Sequence, residues 1–455
     1  MEFIKANLNI YVVLCVLVLQ VGCNNMKQTE AGTSEKVELV VIEPQHFHAA
    51  LVQKYPHEGI GSEVYLYAES ADKVEGYQQL IEQYNSRAEN PTAWKINSYY
   101  GDDFLEAAFQ DTTGNVVVLA GDNQQKITYI EHAVAHGRDV FADKPLVIDN
   151  EGFQRLKTLL NDNEKSALVY DIMTERYDVK NQVIKHLIND KGFSGGIQPS
   201  EAAPSIQFSS THHFIKEVSG SPLIRPAMFY NTKQQGEGLV DVTTHYIDLV
   251  QWMLSSEQPI DIESDIHLLE SKRWATRLTK EDFVRSTGLT EYTSSLQSAL
   301  ADDGSLNVFS NGQLHYTFKG VPVSISVEWA VESLDGSGDQ FFAKFSTREF
   351  NIEVKPDQNG TMSVFLQPHH LEGFEEKLKR ALTSYSDFPG LSYEKEGEQF
   401  KITIPTALYL GHEDHFAKVL EQFLTYRNEK QLPEWERSFI LAKYYLTTKA
   451  LENAK

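Results

Sequence analysis

Val116-Val117-Val118-Leu119-Ala120-Gly121-Asp122-Asn123, followed by Val140-Phe141-Ala142-Asp143-Lys144-Pro145-Leu146, decides how this chain folds. The first segment is a continuous apolar run, as a strand covered on both faces requires. Between the two, Tyr129, Ala133, Val134 and Ala135 supply a helical apolar face, and His136-Gly137-Arg138 supplies a helix stop. Val140 and Phe141 open the next strand. Strand, helix and strand in this order predict a parallel pair joined by a crossover helix. Asp143-Lys144-Pro145 then falls at a strand's carboxyl end, where open parallel sheets bind ligands. Taken alone, Lys-Pro in a turn is an ordinary surface feature.

Toward the amino terminus, Val37 to Ile42 reads as another buried strand, with a helix from about Ala49. The turn between them is Glu43-Pro44-Gln45-His46-Phe47-His48. A dinucleotide fold places glycines here so that the backbone can approach pyrophosphate. All three are absent. Amides at the helix start could still meet phosphate, with His46 or His48 adding a contact. The same two histidines could be metal ligands, but packing or capping is the simpler reading and no metal is expected. Val64 to Ala68 is a second strand. Glu69 at its end either binds ribose hydroxyls or caps the loop before a helix over 72–88. Ala167 to Asp171 is a further strand. Arg176 beyond it reads as a substrate contact or as a salt bridge between domains.

A second pattern lies at Gly236-Glu237-Gly238-Leu239-Val240-Asp241-Val242-Thr243-Thr244-His245-Tyr246-Ile247-Asp248. Asp241 and His245 are four apart at a helix start, so both side chains can face one side. With the strand ending in Asn123 and the acid-Lys-Pro at 143–145, this resembles the glucose–fructose oxidoreductase / inositol dehydrogenase (Gfo/Idh/MocA) family. The chain looks like a lipoprotein-type member with a divergent glycine fingerprint. Asp143 stands where the family usually has glutamate, and Thr243 where its second motif has glycine.

The resemblance implies a Rossmann-type parallel-sheet domain at 37–172. A substrate-binding domain at 173–455 follows, with an open, mainly antiparallel sheet and flanking helices. It also implies NAD or NADP as cofactor. Lys144 matches the lysine bridging nicotinamide and substrate, His245 the proton-transfer histidine and Asp241 its acidic partner. Asn123 matches the asparagine beside the cofactor. Glu69, Asp143, His46 and His48 complete the expected cofactor contacts. Arg176, His213 and Asp248 are the expected substrate contacts. Open sheet faces in that family often pair, so a homo-oligomer is expected by analogy.

The 455 residues allow two domains, and a net charge of −23 leaves no basic stripe for nucleic acid. Both cysteines, Cys15 and Cys23, precede the folded body, which therefore has no disulfide or thiol chemistry. Lys5 precedes an apolar run from Leu8 to Leu19, the length of a signal-peptide core rather than a membrane span. It ends Leu19-Gln20-Val21-Gly22-Cys23, which resembles a bacterial lipoprotein signal. The expected order is a signal peptide at 1–22, lipid on Cys23, and a tether at 23–36. The expected location is the cell envelope, in the periplasm or on the outer membrane.

In the second half, Thr211-His212-His213 alternates faces if extended, so at most one histidine points into a cleft. Met253 to about Ala301 reads as polar helix. Leu314-Tyr316-Phe318 and Val323-Ile325-Val327-Trp329 flank Lys319-Gly320 as a hairpin, and 341–354 adds strand. Outside the cytoplasm no free cofactor pool exists, so a redox enzyme there must retain its cofactor. The first reading is an NAD(P)-dependent oxidoreductase acting on a carbohydrate or polyol hydroxyl. An alternative is an NAD-dependent glycosidase-type enzyme with transient oxidation. A third reading is a non-catalytic carbohydrate-binding lipoprotein on the same fold.

Overall fold

The computed structural model describes residues 36–110, 113–162, 164, 166–200, 203–218, 221–333 and 338–455. The expected signal peptide, lipidated Cys23 and tether lie outside these residues, except for Lys36. Val37–Lys455 forms one compact unit.

Six strands build the first sheet: β1 (Val37–Ile42), β2 (Ile60–Ala68), β3 (Lys95–Tyr100), β4 (Val116–Leu119), β5 (Asp139–Asp143) and β6 (Val169–Ile172). All pairs are parallel, in the order β3-β2-β1-β4-β5-β6. The order reverses between β1 and β4, which places the binding crevice outside their carboxyl ends. Alternate residues serve opposite faces. Leu39, Val41, Val118 and Phe141 join one core, whereas Val40, Ile42, Val117 and Val140 join the other. Five helices cover these faces: α1 (His48–Leu51), α2 (Glu75–Ser86), α3 (Phe104–Gln110), α4 (Lys126–Ala135) and α5 (Asn150–Leu160). The helix expected from Ala49 is only this four-residue α1. Pro56 disfavours helical backbone at Tyr55 and stops it early.

The second sheet has nine strands: β7 (Ile206–Ile215), β10 (Ile266–Leu278), β11 (Leu306–Phe318), β12 (Val321–Glu332), β13 (Gln340–Ser346), β14 (Phe350–Pro356), β15 (Met362–Pro368), β16 (Ser392–Glu396) and β17 (Gln399–Thr403). A minor hairpin, β8 (Glu217–Val218) and β9 (Ser221–Pro222), stands apart. The order is β10-β11-β12-β7-β13-β14-β15-β17-β16, antiparallel except for the parallel β12–β7 pair. Lys319 and Gly320 take φ of 48° and 77°, which closes the β11–β12 hairpin. One face of the sheet buries Leu314, Val323, Ile325 and Phe345 against α6 (Val179–Asn189) and α7 (Thr243–Ser255).

The expected polar helix at 253–301 is largely replaced by strand. α7 ends at Ser255, β10 follows, and α8 (Lys280–Thr287) is short. β10 pairs with β11 alone, so it is an edge strand. Its Glu270, Lys272, Arg273 and Arg277 are exposed, as an edge requires. That polarity hides a strand's alternation.

Three more helices follow: α9 (Phe374–Ser384), α10 (His412–Glu429) and α11 (Glu434–Asn453). The last two return to the first sheet. Phe416, Val419, Leu420 and Phe423 of α10 join one of its cores. α11 divides itself, with Phe439 and Leu446 in the second core and Ile440 and Tyr444 in the first. The two sheets thus share a helical clamp.

Candidate functional site

Outside the carboxyl ends of β1, β4 and β5 lies a cavity of about 620 Å³. Its floor carries Lys144, one residue past β5, and its far wall carries Asp241, Val242 and His245 at the start of α7. Lys144 Nζ donates to Asp241 Oδ1 at 2.5 Å, joining residues 97 apart in sequence. Burial alone would lower the Lys144 ammonium. The Asp241 and Asp143 carboxylates outweigh it and hold the group above its ordinary value. Burial and then the Lys144 charge push His245 down to about 3, so its ring is neutral. His245 Nδ1 is buried without a hydrogen-bond partner. Asp241 and His245 do share the cavity, but the carboxylate is engaged by Lys144.

Lys126 supports this floor from below. Its Nζ, buried at 1 % exposure, donates to Asn123 Oδ1 at 2.6 Å, to the Asp143 carbonyl at 2.7 Å and to the Pro145 carbonyl at 2.9 Å. Burial lowers its pKa to about 8 despite nearby Asp143 and Asp171. Asn123 lines the cavity, yet its amide donates to the Gln235 carbonyl at 2.8 Å. Asp122 accepts from the Gln124 and Gln125 amides ahead of α4 and from the Gln234 side chain at 2.8 Å. The β4–α4 loop is therefore laced to the second domain. Lys126 is not singled out in sequence. Its position three residues after Asn123 was the available signal.

The glycine-less turn has its own solution. Glu43 takes φ of 44°, a conformation that favours glycine, and is buried. Its carboxylate accepts the Glu69 amide at 2.6 Å and bonds Gln45, which holds the turn. A Cβ on Gly121 would lie 2.2 Å from the Glu43 carbonyl oxygen, and the His46 amide donates to the Ala120 carbonyl at 3.1 Å. The turns after β1 and β4 are thus in backbone contact. On the cavity side, His48 Nδ1 lies 2.9 Å and His46 Nδ1 3.5 Å from Asp143 Oδ2. Burial would raise Asp143. The two histidines and Lys126 outweigh it and hold the carboxyl far below the usual range.

The second sheet contributes an aromatic wall of Phe214, Trp329 and His212, extended by Phe229 from the 3₁₀ turn Ala227–Tyr230. His212 stacks on Trp329 with centroids 4.9 Å apart, as their paired register in β7 and β12 dictates. Lys216 pairs with Asp339 at 2.6 Å on the same rim. Of these wall residues the sequence offered only His212, paired with His213, as a cleft candidate, because a strand pattern does not say which end of a sheet faces a cavity. A second groove of about 700 Å³, around Lys185, Trp252 and Tyr385, lies away from the strand ends.

Four expected contacts sit elsewhere. Arg176 donates to Asp248 twice at 2.7 Å and to Glu436 twice at 2.9 Å, all within the interior. Lys443 joins Asp248 at 3.0 Å and Asp171 at 2.7 Å. Arg176 and Asp248 therefore tie the domains together and do not line the cavity. His213 is buried against Asp339, and its neighbour His212 faces the cavity instead. Glu69 lies outside the cavity lining, with its carboxylate on Lys73.

Residues 184–455 match the family described as "Putative oxidoreductase C terminal domain". The chain belongs to that family. A crystal structure described as "a putative oxidoreductase" from Parabacteroides merdae ATCC 43184 is 36% identical. It covers 92% of this chain and 98% of its own, with a TM-score of 0.89. More distant structures share the fold. Biliverdin reductase from Synechocystis sp. PCC 6803, in complex with biliverdin and NADP+, is 11% identical with a TM-score of 0.57, covering 92% and 99%. A 3-ketoreductase from Actinomadura kijaniata, in complex with NADP, is 14% identical with a TM-score of 0.54, covering 92% and 98%. No curated protein matches the sequence. The fold class expected from the sequence is the one observed: a Rossmann-type parallel sheet, then an open, mainly antiparallel sheet with helices.

Proposed function

We propose that this member of the oxidoreductase C-terminal domain family is an NAD(P)-dependent oxidoreductase acting on a carbohydrate or polyol hydroxyl. The observation that carries this reading is the meeting of Lys144 and Asp241 beside His245 in one cavity at the strand ends. The cavity also suits a polar ligand. His46 Nδ1, Gln235 Nε2 and His245 Nδ1 belong to residues that line it and are buried without a hydrogen bond. Among the described residues, no acceptor takes the amides of Phe47 and His48 in the β1 turn. These amides would hold the pyrophosphate. Lys144 and Gln235 would hold the nicotinamide end. Bound NAD(P) supplies hydride acceptance and donation.

The protein's own part is proton handling. Lys144 donates a hydrogen bond to a substrate oxygen and stabilises the negative charge that develops there. His245, neutral with a buried Nδ1, offers Nε2 to the proton of that hydroxyl. Burial and then the protonated lysine make it a weak base. Charge developing on the substrate oxygen between them offsets that repulsion. Asp241 keeps Lys144 charged. The wall of Trp329, Phe214 and Phe229 offers apolar faces to a sugar ring.

The expected envelope location, with lipid on Cys23, remains part of this proposal. It requires that cofactor leave the cytoplasm with the folded protein. Mass spectrometry of small molecules released from the denatured protein should find NAD or NADP in stoichiometric amount. Lys144→Ala should lower kcat/KM on a responsive glycoside by roughly 100-fold or more while the melting curve holds. A protein that neither retains nor binds NAD(P) would point instead to the sugar-binding reading. Products formed from a glycoside without any acceptor would point to transient oxidation.

A further inference from the structure

We propose that His46, His48 and Asp143 form a binding site for a divalent transition-metal ion, opening into the cavity beside Lys144. One nitrogen from each imidazole and one carboxylate oxygen lie within 4.8 Å of one another. Both Nδ1 atoms converge on the same oxygen, Asp143 Oδ2, at 2.9 and 3.5 Å. A tetrahedral ion with bonds of about 2.0 Å holds its ligand atoms about 3.3 Å apart. The two nitrogen–oxygen separations bracket that value.

A histidine–carboxylate pair explains only part of this. His48 is within hydrogen-bond distance of Asp143, but His46 Nδ1, 3.5 Å from the same oxygen, is buried and makes no hydrogen bond. Two imidazoles aimed at one oxygen are fully satisfied by a cation at their centre. The local backbone explains the convergence. Both histidines belong to the same turn, and Phe47 between them takes helical angles, φ −59° and ψ −19°. The two rings stand 4.2 Å apart, edge to face.

The supporting groups suit a metal site. Lys126 bonds the Asp143 carbonyl and so fixes that ligand's backbone. The His48 ring packs on Phe416 at 4.7 Å. His412, at the start of α10, has its ring 5.5 Å from that of His48 and lines the same cavity. It is the candidate for a fourth ligand; otherwise that position is open to substrate oxygen. Two imidazoles and one carboxylate favour Zn²⁺, Co²⁺, Fe²⁺ or Mn²⁺ over Mg²⁺ or Ca²⁺. This inference does not rest on the cofactor reading, because binding is measured without nucleotide.

The test is titration of the full, chelator-treated protein with Zn²⁺ by calorimetry and with Co²⁺ by visible absorption. One equivalent should bind. His46→Ala and Asp143→Asn should each weaken binding by roughly 10-fold or more. His415→Ala, on α10 but outside the triad, should leave it unchanged. Melting curves establish that each variant is folded, and His46→Ala, in a turn, serves if Asp143→Asn fails to fold. No binding to the wild-type chain, or binding equally tight in both triad variants, overturns the proposal.

Discussion

At the scale of single residues, the site is an argument about which charges stay. Lys144 keeps its proton because Asp241 and Asp143 outweigh the burial that would remove it. Asp241→Asn removes the carboxylate that Lys144 bonds, so the Lys144 pKa should fall. The alkaline limb of the kcat/KM profile should therefore move to lower pH, with activity roughly tenfold lower at the optimum. An unmoved limb would show that Lys144 is not the group titrating there. Gly238 is a different kind of residue. A Cβ there would lie 2.1 Å from the Ser310 carbonyl oxygen, a backbone atom that cannot swing away. Gly238→Ala should destabilise the protein by about 2 kcal/mol or more and disturb the cavity wall, as read by urea unfolding.

At the scale of elements, the single turn of 3₁₀ helix at Thr174–Tyr177 joins the two domains. It holds Glu175, whose carboxyl is pushed from 4.5 up to about 7 by burial and then by Asp178. The folded protein binds this proton more tightly than the unfolded chain. Its contribution is therefore fully present below pH 4.5 and is lost as pH rises through about 7. Glu175→Gln should flatten the fall in melting temperature between pH 5 and 8. The difference should be on the order of 1–2 kcal/mol, given the side chain's partial exposure. A parallel fall in both proteins would exclude this group. The β1 turn teaches a related lesson. Glu43 occupies a glycine-like conformation and supports it with its own carboxylate, so a missing glycine did not mean a missing turn.

At the scale of the whole molecule, the two sheets are joined by a buried charge network and two returning helices. Arg176, Asp248, Glu436, Lys443 and Asp171 come from both halves of the chain and are all buried. Arg176→Ala leaves Glu436 buried without its partner. It should cost about 3–5 kcal/mol in a denaturant titration. A loss under about 1 kcal/mol would mean that the network contributes little. Arg176 and Asp248 resembled ligand contacts in sequence because buried ion pairs and substrate clamps use the same side chains.

The sequence by itself determined the two layers. Short unbroken Val-rich runs bounded by turn residues fit strands covered on both faces, and alternating runs fit half-covered ones. It also marked Lys144, Asp241 and His245, because two motifs in the right order restrict the fold they can belong to. The polar edge strand β10 escaped, since an edge needs no alternation. Tertiary structure alone decided which of His212 and His213 meets the cavity, and that Arg176 and Asp248 are buried ties. It also brought His46 and His48 to Asp143, 95 residues on from His48. Side-chain direction in turns, and contact between segments far apart in sequence, depend on packing that no local pattern encodes.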